Sequence, residues 1–256
     1  MEKFLYNSTL KKFIETPIPK QKTENWEKVR QIEINECNEK LVPVNLYPEK
    51  IINHPEYFIQ GIKHSLPVCY VRENVYEKLI LASSLLPPNY KLVILDAFRP
   101  VEVQETLFNK YKDKLKLENP NLSDKELTEL TLKFVALPSF DEKKPSPHNT
   151  GGSVDLTICD DKGRFLKMGT DYDDMSDLAI TRFYEEKVEK QEKLSKQEEE
   201  FLINRRILYH LMNYVGFTNF SNEWWHYDFG NQLWAYHKEE SFAIYGRSKP
   251  SFFWWF

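Results

Sequence analysis

Three cysteines in 256 residues, Cys37, Cys69 and Cys159, are an odd number with no paired spacing. They suit a reducing compartment with no disulfide framework. No stretch approaches the roughly 18 consecutive apolar residues of a membrane helix. The first twenty residues are interrupted by Asn7, Lys11, Lys12, Glu15 and two prolines. They offer neither the apolar run nor the small-residue cleavage site of a secretory signal. Neither sign of charge dominates, since 35 Lys and Arg against 39 Asp and Glu leave a formal net charge of −4. That balance gives no footprint for nucleic acid or an anionic membrane. Internal repeats are missing as well. Together these absences predict a soluble, cytoplasmic globular protein that engages neither nucleic acid nor membrane. Oligomeric state has no signature in the sequence.

What is present is enough apolar residue (41%, with 14% aromatic) for a sizeable core. Residues 1–40 show little consistent period and read as an N-terminal extension laid on a main domain spanning 41–256. A short strand is expected at Val68–Val71, then a helix from an Asn74 cap to about Leu86, stopped by Pro87-Pro88. Lys91–Leu95 is apolar almost throughout, as buried strands are. Asp96-Ala-Phe-Arg99-Pro100 ends it, and a helix follows over Val101–Leu117. Ser123 with Glu126 forms a capping box for a helix to about Leu137. Val154–Ile158 reads as a strand that turns at Asp160–Gly163 and returns over Arg164–Met168 as a hairpin. The charged run from Phe183 to Glu200 reads as the solvated start of one helix continuing into Phe201, Leu208, Leu211 and Met212, closed by Gly216. Strands follow at Phe217–Phe220 and Trp224–Phe229. With one core and mixed elements, the expected fold is a single α+β domain. The apolar tail Ser251–Phe256 is expected to pack on the body or on a second subunit.

The chemistry concentrates in Ser146-Pro-His148-Asn-Thr-Gly151-Gly152-Ser-Val-Asp155. A histidine and a carboxylate stand seven residues apart, and the glycine pair between them allows a sharp turn. Later comes Glu223-Trp-Trp-His226. Each pair alone is weak, because a histidine beside a turn is more often a surface or packed residue than a ligand. Two His, one Asp and one Glu together suffice for a catalytic zinc site, with three protein ligands, one position open to water and a base beside it.

These motifs, with Asp96-x-x-Arg99-Pro100 and Met168-Gly169-Thr-Asp-Tyr-Asp173, recur in the same order in the zinc D-Ala-D-Ala dipeptidases, which share a metal core with the hedgehog signalling domain. The resemblance spans about residues 66–237. It implies a hedgehog/DD-peptidase-like fold with a central, mostly antiparallel sheet flanked by helices. It also implies one Zn2+ per chain on His148, Asp155 and His226, with Glu223 as general base. For Arg99 the residues alone leave two readings open, a structural partner of Asp96 or a donor to the reaction's oxyanion; the resemblance implies the second. Ser146 and Asp173 resemble contacts to the substrate's ammonium, with Asp171 and Asp174 as neighbouring candidates.

The implied activity is hydrolysis of the D-Ala-D-Ala dipeptide to two D-alanines. Two alternatives stand beside it. One is a carboxypeptidase or endopeptidase acting on longer peptidoglycan stem peptides. The other is a zinc-holding interaction domain without catalysis, against which the presence of both Glu223 and Arg99 speaks.

Overall fold

The two apolar runs that the sequence marks as buried strands lie side by side in the middle of the protein. The computed structural model describes residues 8–132 and 135–249. In chain order, helix α1 (Ser8–Glu15) and one-turn α2 (Trp26–Val29) precede short strands β1 (Glu33–Ile34), β2 (Leu41–Pro43) and β3 (Ile51–Asn53). Then come α3 (Glu56–Ile59), β4 (Tyr70–Arg72), α4 (Glu73–Leu85), β5 (Tyr90–Asp96), α5 (Val101–Glu118) and α6 (Asp124–Thr131). The second half holds β6 (Ser153–Asp160), α7 (Phe183–Glu189), α8 (Lys196–Tyr214), β7 (Thr218–Asn219), β8 (His226–Asp228), α9 (Gln232–Lys238) and β9 (Phe242–Ala243). The fold is α+β, and its main sheet runs β3-β5-β6-β8-β7. Only the β3–β5 pairing is parallel; the other three are antiparallel.

Alternation along the strands decides what each face does. Leu92, Ile94, Val154, Leu156, Ile158 and Tyr227 point into the main core, against Val75, Leu79 and Ala82 of α4 and Ile207, Leu208, Leu211 and Met212 of α8. Burying each such side chain contributes roughly 1.5–3 kcal/mol. The opposite face of β6 and β8 carries Ser153, Asp155, His226 and Asp228, all buried. Register places Asp155 across from His226 and Ser153 across from Asp228. A bulge in β5 between Ile94 and Asp96 then sets Asp96 opposite Asp155. A bulge re-aims one residue, and here it brings a third carboxylate to the same face.

Residues 8–40 are tied to the body. Phe13 of α1 stacks on His210 of α8, the Ile18 amide donates to Glu185 at 2.8 Å, and β1 pairs with β9. Three local expectations are corrected. The charged run is two helices, because Ser195 caps α8 through a capping box with Glu198 and so ends the segment that α7 began. Helix α6 stops at Thr131, well short of Leu137. Asn74 lies inside α4, its amide held by the Glu39 carboxylate, while Arg72 occupies the cap position. The capping box at Ser123, the glycine at 216 and the turn at Asp160–Gly163 stand where the sequence puts them. The tail Ser251–Phe256 lies outside the described residues. Among the described residues no helix is long and apolar enough to cross a membrane.

Candidate active site

Three donors from two strands and one turn meet at a point. His148 sits in a helical turn, Pro147–Thr150, that ends at Gly151 with φ of 72°. That left-handed value favours glycine. The neighbouring Gly152 has no room for a side chain, because a Cβ there would overlap the Phe229 carbonyl oxygen. This close approach delivers His148 to the β6/β8 face. His148 Nε2 lies 3.1 Å from His226 Nδ1 and 3.4 Å from Asp155 Oδ1, and His226 Nδ1 lies 2.9 Å from Asp155 Oδ1. A tetrahedral zinc with bonds of about 2.05 Å needs donors about 3.3 Å apart. These residues therefore fit a zinc-sized ion in number, type and spacing, and they are the metal-capable cluster found among the described residues.

The outer nitrogens fix both rings. His148 Nδ1 donates to the Ala97 carbonyl at 2.7 Å, which leaves the Nε2 lone pair free. His226 Nε2 faces Asp228 Oδ2 at 3.1 Å, which likewise aims Nδ1 at the cluster. Asp228 is held in turn by Ser153 and Asn231, each at 2.6 Å. The Tyr172 hydroxyl donates to Asp155 Oδ2 at 2.9 Å. Such outer contacts set ligand orientation and basicity. Burial opposes charge on His226, but Asp228 and Asp155 outweigh it and raise its pKa well above the ordinary histidine value. Burial likewise opposes charge on Asp155, yet His148 and His226 hold it well below the usual carboxylate range. A metal held there would compete with protons for these groups.

Of the two readings of Arg99, its contacts bear on the structural one, a partner of Asp96. Its Nε and Nη2 reach Asp96 Oδ2 at 2.8 and 2.6 Å, and Nη1 donates to Gln104 at 2.6 Å. The guanidinium also packs over the Tyr57 ring at 4.9 Å, and Nη2 lies 3.5 Å from Asp155 Oδ2. Burial alone would lower its pKa, but Asp96 and its neighbours raise it further, so the charge is permanent. The Tyr57 hydroxyl donates to Asp173 Oδ2 at 3.3 Å. Asp173 adopts φ of 63°, an uncommon conformation for a non-glycine residue. Burial pushes its carboxyl up to about 6, against the pull of Arg99.

Glu223 occupies the turn before β8, where the opposite-face rule for residues three apart requires it to be. Its Oε2 lies 3.9 Å from His226 Nδ1. Burial pushes it up to about 8, with His226 opposing and Asp155 and Asp173 reinforcing the rise. Ser146 is buried beside these groups, its hydroxyl donating to the Leu137 carbonyl at 3.2 Å. All seven residues singled out in the sequence line one cleft of about 780 Å³. Asp171 and Asp174 do not line it; Asp173 does.

The sequence reading did not assign Tyr57, Gln104, Tyr172, Ser153, Asp228 or Asn231. Asp228 had a signal, since i+2 on a strand returns to the face of His226. Tyr172 lay within a quoted motif. Tyr57 had none, because over a hundred residues separate it from Asp173.

The sequence model of the D-ala-D-ala dipeptidase family matches residues 63–244. A D-alanyl-D-alanine dipeptidase of Synechocystis sp. is 28% identical over 233 residues, covering 84% of this chain and 94% of that one. A D-alanyl-D-alanine dipeptidase of Escherichia coli is 28% identical over 138 residues, 54% of each chain. The chain belongs to the D-ala-D-ala dipeptidase family and is a metallopeptidase.

Proposed function

We propose that this protein hydrolyses D-Ala-D-Ala to two D-alanines, using one zinc ion per chain held by His148, Asp155 and His226. The observation that carries this reading is the meeting of those three donors at near-tetrahedral spacing beside Glu223 and Arg99 in one cleft. Bound zinc supplies a Lewis acid that brings the pKa of water towards roughly 7. A cation held by the three ligands would favour the ionised form of Glu223, which takes the proton from the attacking water and returns it to the leaving amine. Arg99, fixed by Asp96 and Gln104, presents a permanent charge to the oxygen that becomes negative. Asp173 and Ser146 hold the substrate's ammonium, which needs a charged partner once buried. Residues 41–256 make up the catalytic domain in this reading, and the preceding segment adds Trp26, Val29 and Arg30 to the cleft wall.

A free amine is the feature that makes the enzyme a dipeptidase. N-acetyl-D-Ala-D-Ala should therefore be cleaved at least a hundredfold more slowly than D-Ala-D-Ala, and equal rates would sink the ammonium assignment. The cleft's volume keeps a second reading open, cleavage of longer wall peptides, which a faster rate on a stem pentapeptide would favour. The three cysteines are free thiols, which supports a reducing, cytoplasmic location. Cell fractionation checks it.

A further inference from the structure

A dipeptide spans at most about 7 Å, whereas a cleft of about 780 Å³ is of the size that encloses a drug-sized ligand. The outer part of the cleft is therefore left over once D-Ala-D-Ala is placed at its floor. Its charge runs against the rest of the chain. The protein carries four more acids than bases, yet outside the catalytic groups the cleft is lined by Arg30, Lys110, Lys114 and Lys144 against a single acid, Asp141. Arg30, Lys110 and Lys144 make no ion pair with a described residue, and Lys114 has only a 4.0 Å contact to Glu118 one helical turn away. These cations come from three separate segments, after α2, along α5 and ahead of Ser146. A solvated helix face would supply such charges from one element, so convergence on one mouth calls for another reason.

Direction follows from the dipeptidase reading, on which this inference rests. On that reading Asp173 and Ser146 take the ammonium, and outside the catalytic groups the four cations and Asp141 are the charged lining that remains for the carboxylate end. We propose that the mouth of the cleft is an anion subsite that receives the carboxylate end of the substrate and favours a leaving residue bearing a second carboxylate. A single exposed ion pair contributes little, and two or three acting together give a several-fold preference. Because the charges are exposed, that preference weakens as salt rises.

The test compares D-Ala-D-Glu with its neutral isostere D-Ala-D-Gln. Turnover is measured on the zinc-loaded enzyme, and binding by calorimetry on the zinc-loaded Glu223→Gln variant. In 20 mM salt D-Ala-D-Glu should be favoured about three- to tenfold in kcat/KM and in affinity, and the ratio should approach one in 0.5 M salt. In a Lys110→Glu/Lys144→Glu protein, whose fold is checked by thermal melting, the ratio should fall to one or reverse. Equal values for the two dipeptides in the parent, or a preference that survives the charge reversal, overturn the subsite. Failure to hydrolyse any dipeptide counts against the proposed function instead, while the binding comparison still decides the subsite.

Discussion

Replacing Asp228 by Asn alters one atom at a position 0% exposed, and the consequence can be worked from its partners. The carboxylate accepts from three donors: His226 Nε2 on Oδ2, and Ser153 Oγ and Asn231 Nδ2 on Oδ1. An amide has one acceptor oxygen and one NH2. If the NH2 turns toward His226, it cannot receive the Nε2 hydrogen, and the ring proton moves to Nδ1, the atom meant for the metal. If the NH2 turns the other way, it faces the Asn231 Nδ2 donor, which cannot reverse because Asn231 Oδ1 already accepts from the Trp234 backbone N–H. His226 then keeps only a neutral carbonyl, which makes it a weaker base and a weaker ligand. Either way the metal is lost more easily. Outer contacts of this kind are worth about 10–100-fold in metal affinity, or about 1.4–2.7 kcal/mol. The assay is competition for zinc against a chelating dye, for parent and Asp228→Asn, with thermal melting of both metal-free proteins. A dissociation constant within twofold of the parent, in a folded variant, would refute the claim that Asp228 sets the histidine's tautomer.

Three further outcomes are expected. Tyr172→Phe deletes the hydroxyl on Asp155 Oδ2 but keeps the ring's contact with Trp225, so zinc affinity in the same dye assay should fall about tenfold with the melting temperature little changed. Asp173 is raised by burial to about 6, above the roughly 3.9 of an unfolded aspartate. Its protonated form therefore stabilises the fold fully below about pH 4, a contribution lost as pH rises through 6. An ammonium binds the ionised form, so KM for D-Ala-D-Ala should fall as pH climbs through that window. Asp173→Asn should raise KM and flatten that limb, and matching KM–pH profiles would remove Asp173 from the substrate site. Gly152→Ala places a methyl on the Phe229 carbonyl and against Tyr245, which should cost about 1–3 kcal/mol in urea unfolding.

How much of this was legible varied with the range of the interaction. Chemistry-bearing residues with fixed local spacing were readable: His148 and Asp155 around a glycine pair, Glu223 and His226 at a strand entrance. Period-2 alternation over Val154–Ile158 already implied that Asp155 faces away from the core. The β5 bulge left no trace in composition, so Asp96 could not be placed beside Asp155. Tyr57 reaches Arg99 and Asp173 only through tertiary packing. The split at 190–195 had a signal, Ser195 three residues before Glu198, that was outweighed by i,i+4 charge pairs continuing across it. For α6, the capping box fixed the start while nothing in the sequence short of Pro138 marked the end, and the helix stops at Thr131.

The most direct test of the central claim measures D-alanine release from D-Ala-D-Ala by the zinc-loaded protein beside Glu223→Gln, with bound zinc quantified in both. Release by the parent, a loss of several orders of magnitude in the variant, and one zinc per chain in each are the expected results. A variant that binds one zinc and cleaves as fast as the parent would contradict Glu223 as the base. A parent that binds zinc and releases no D-alanine would contradict the substrate.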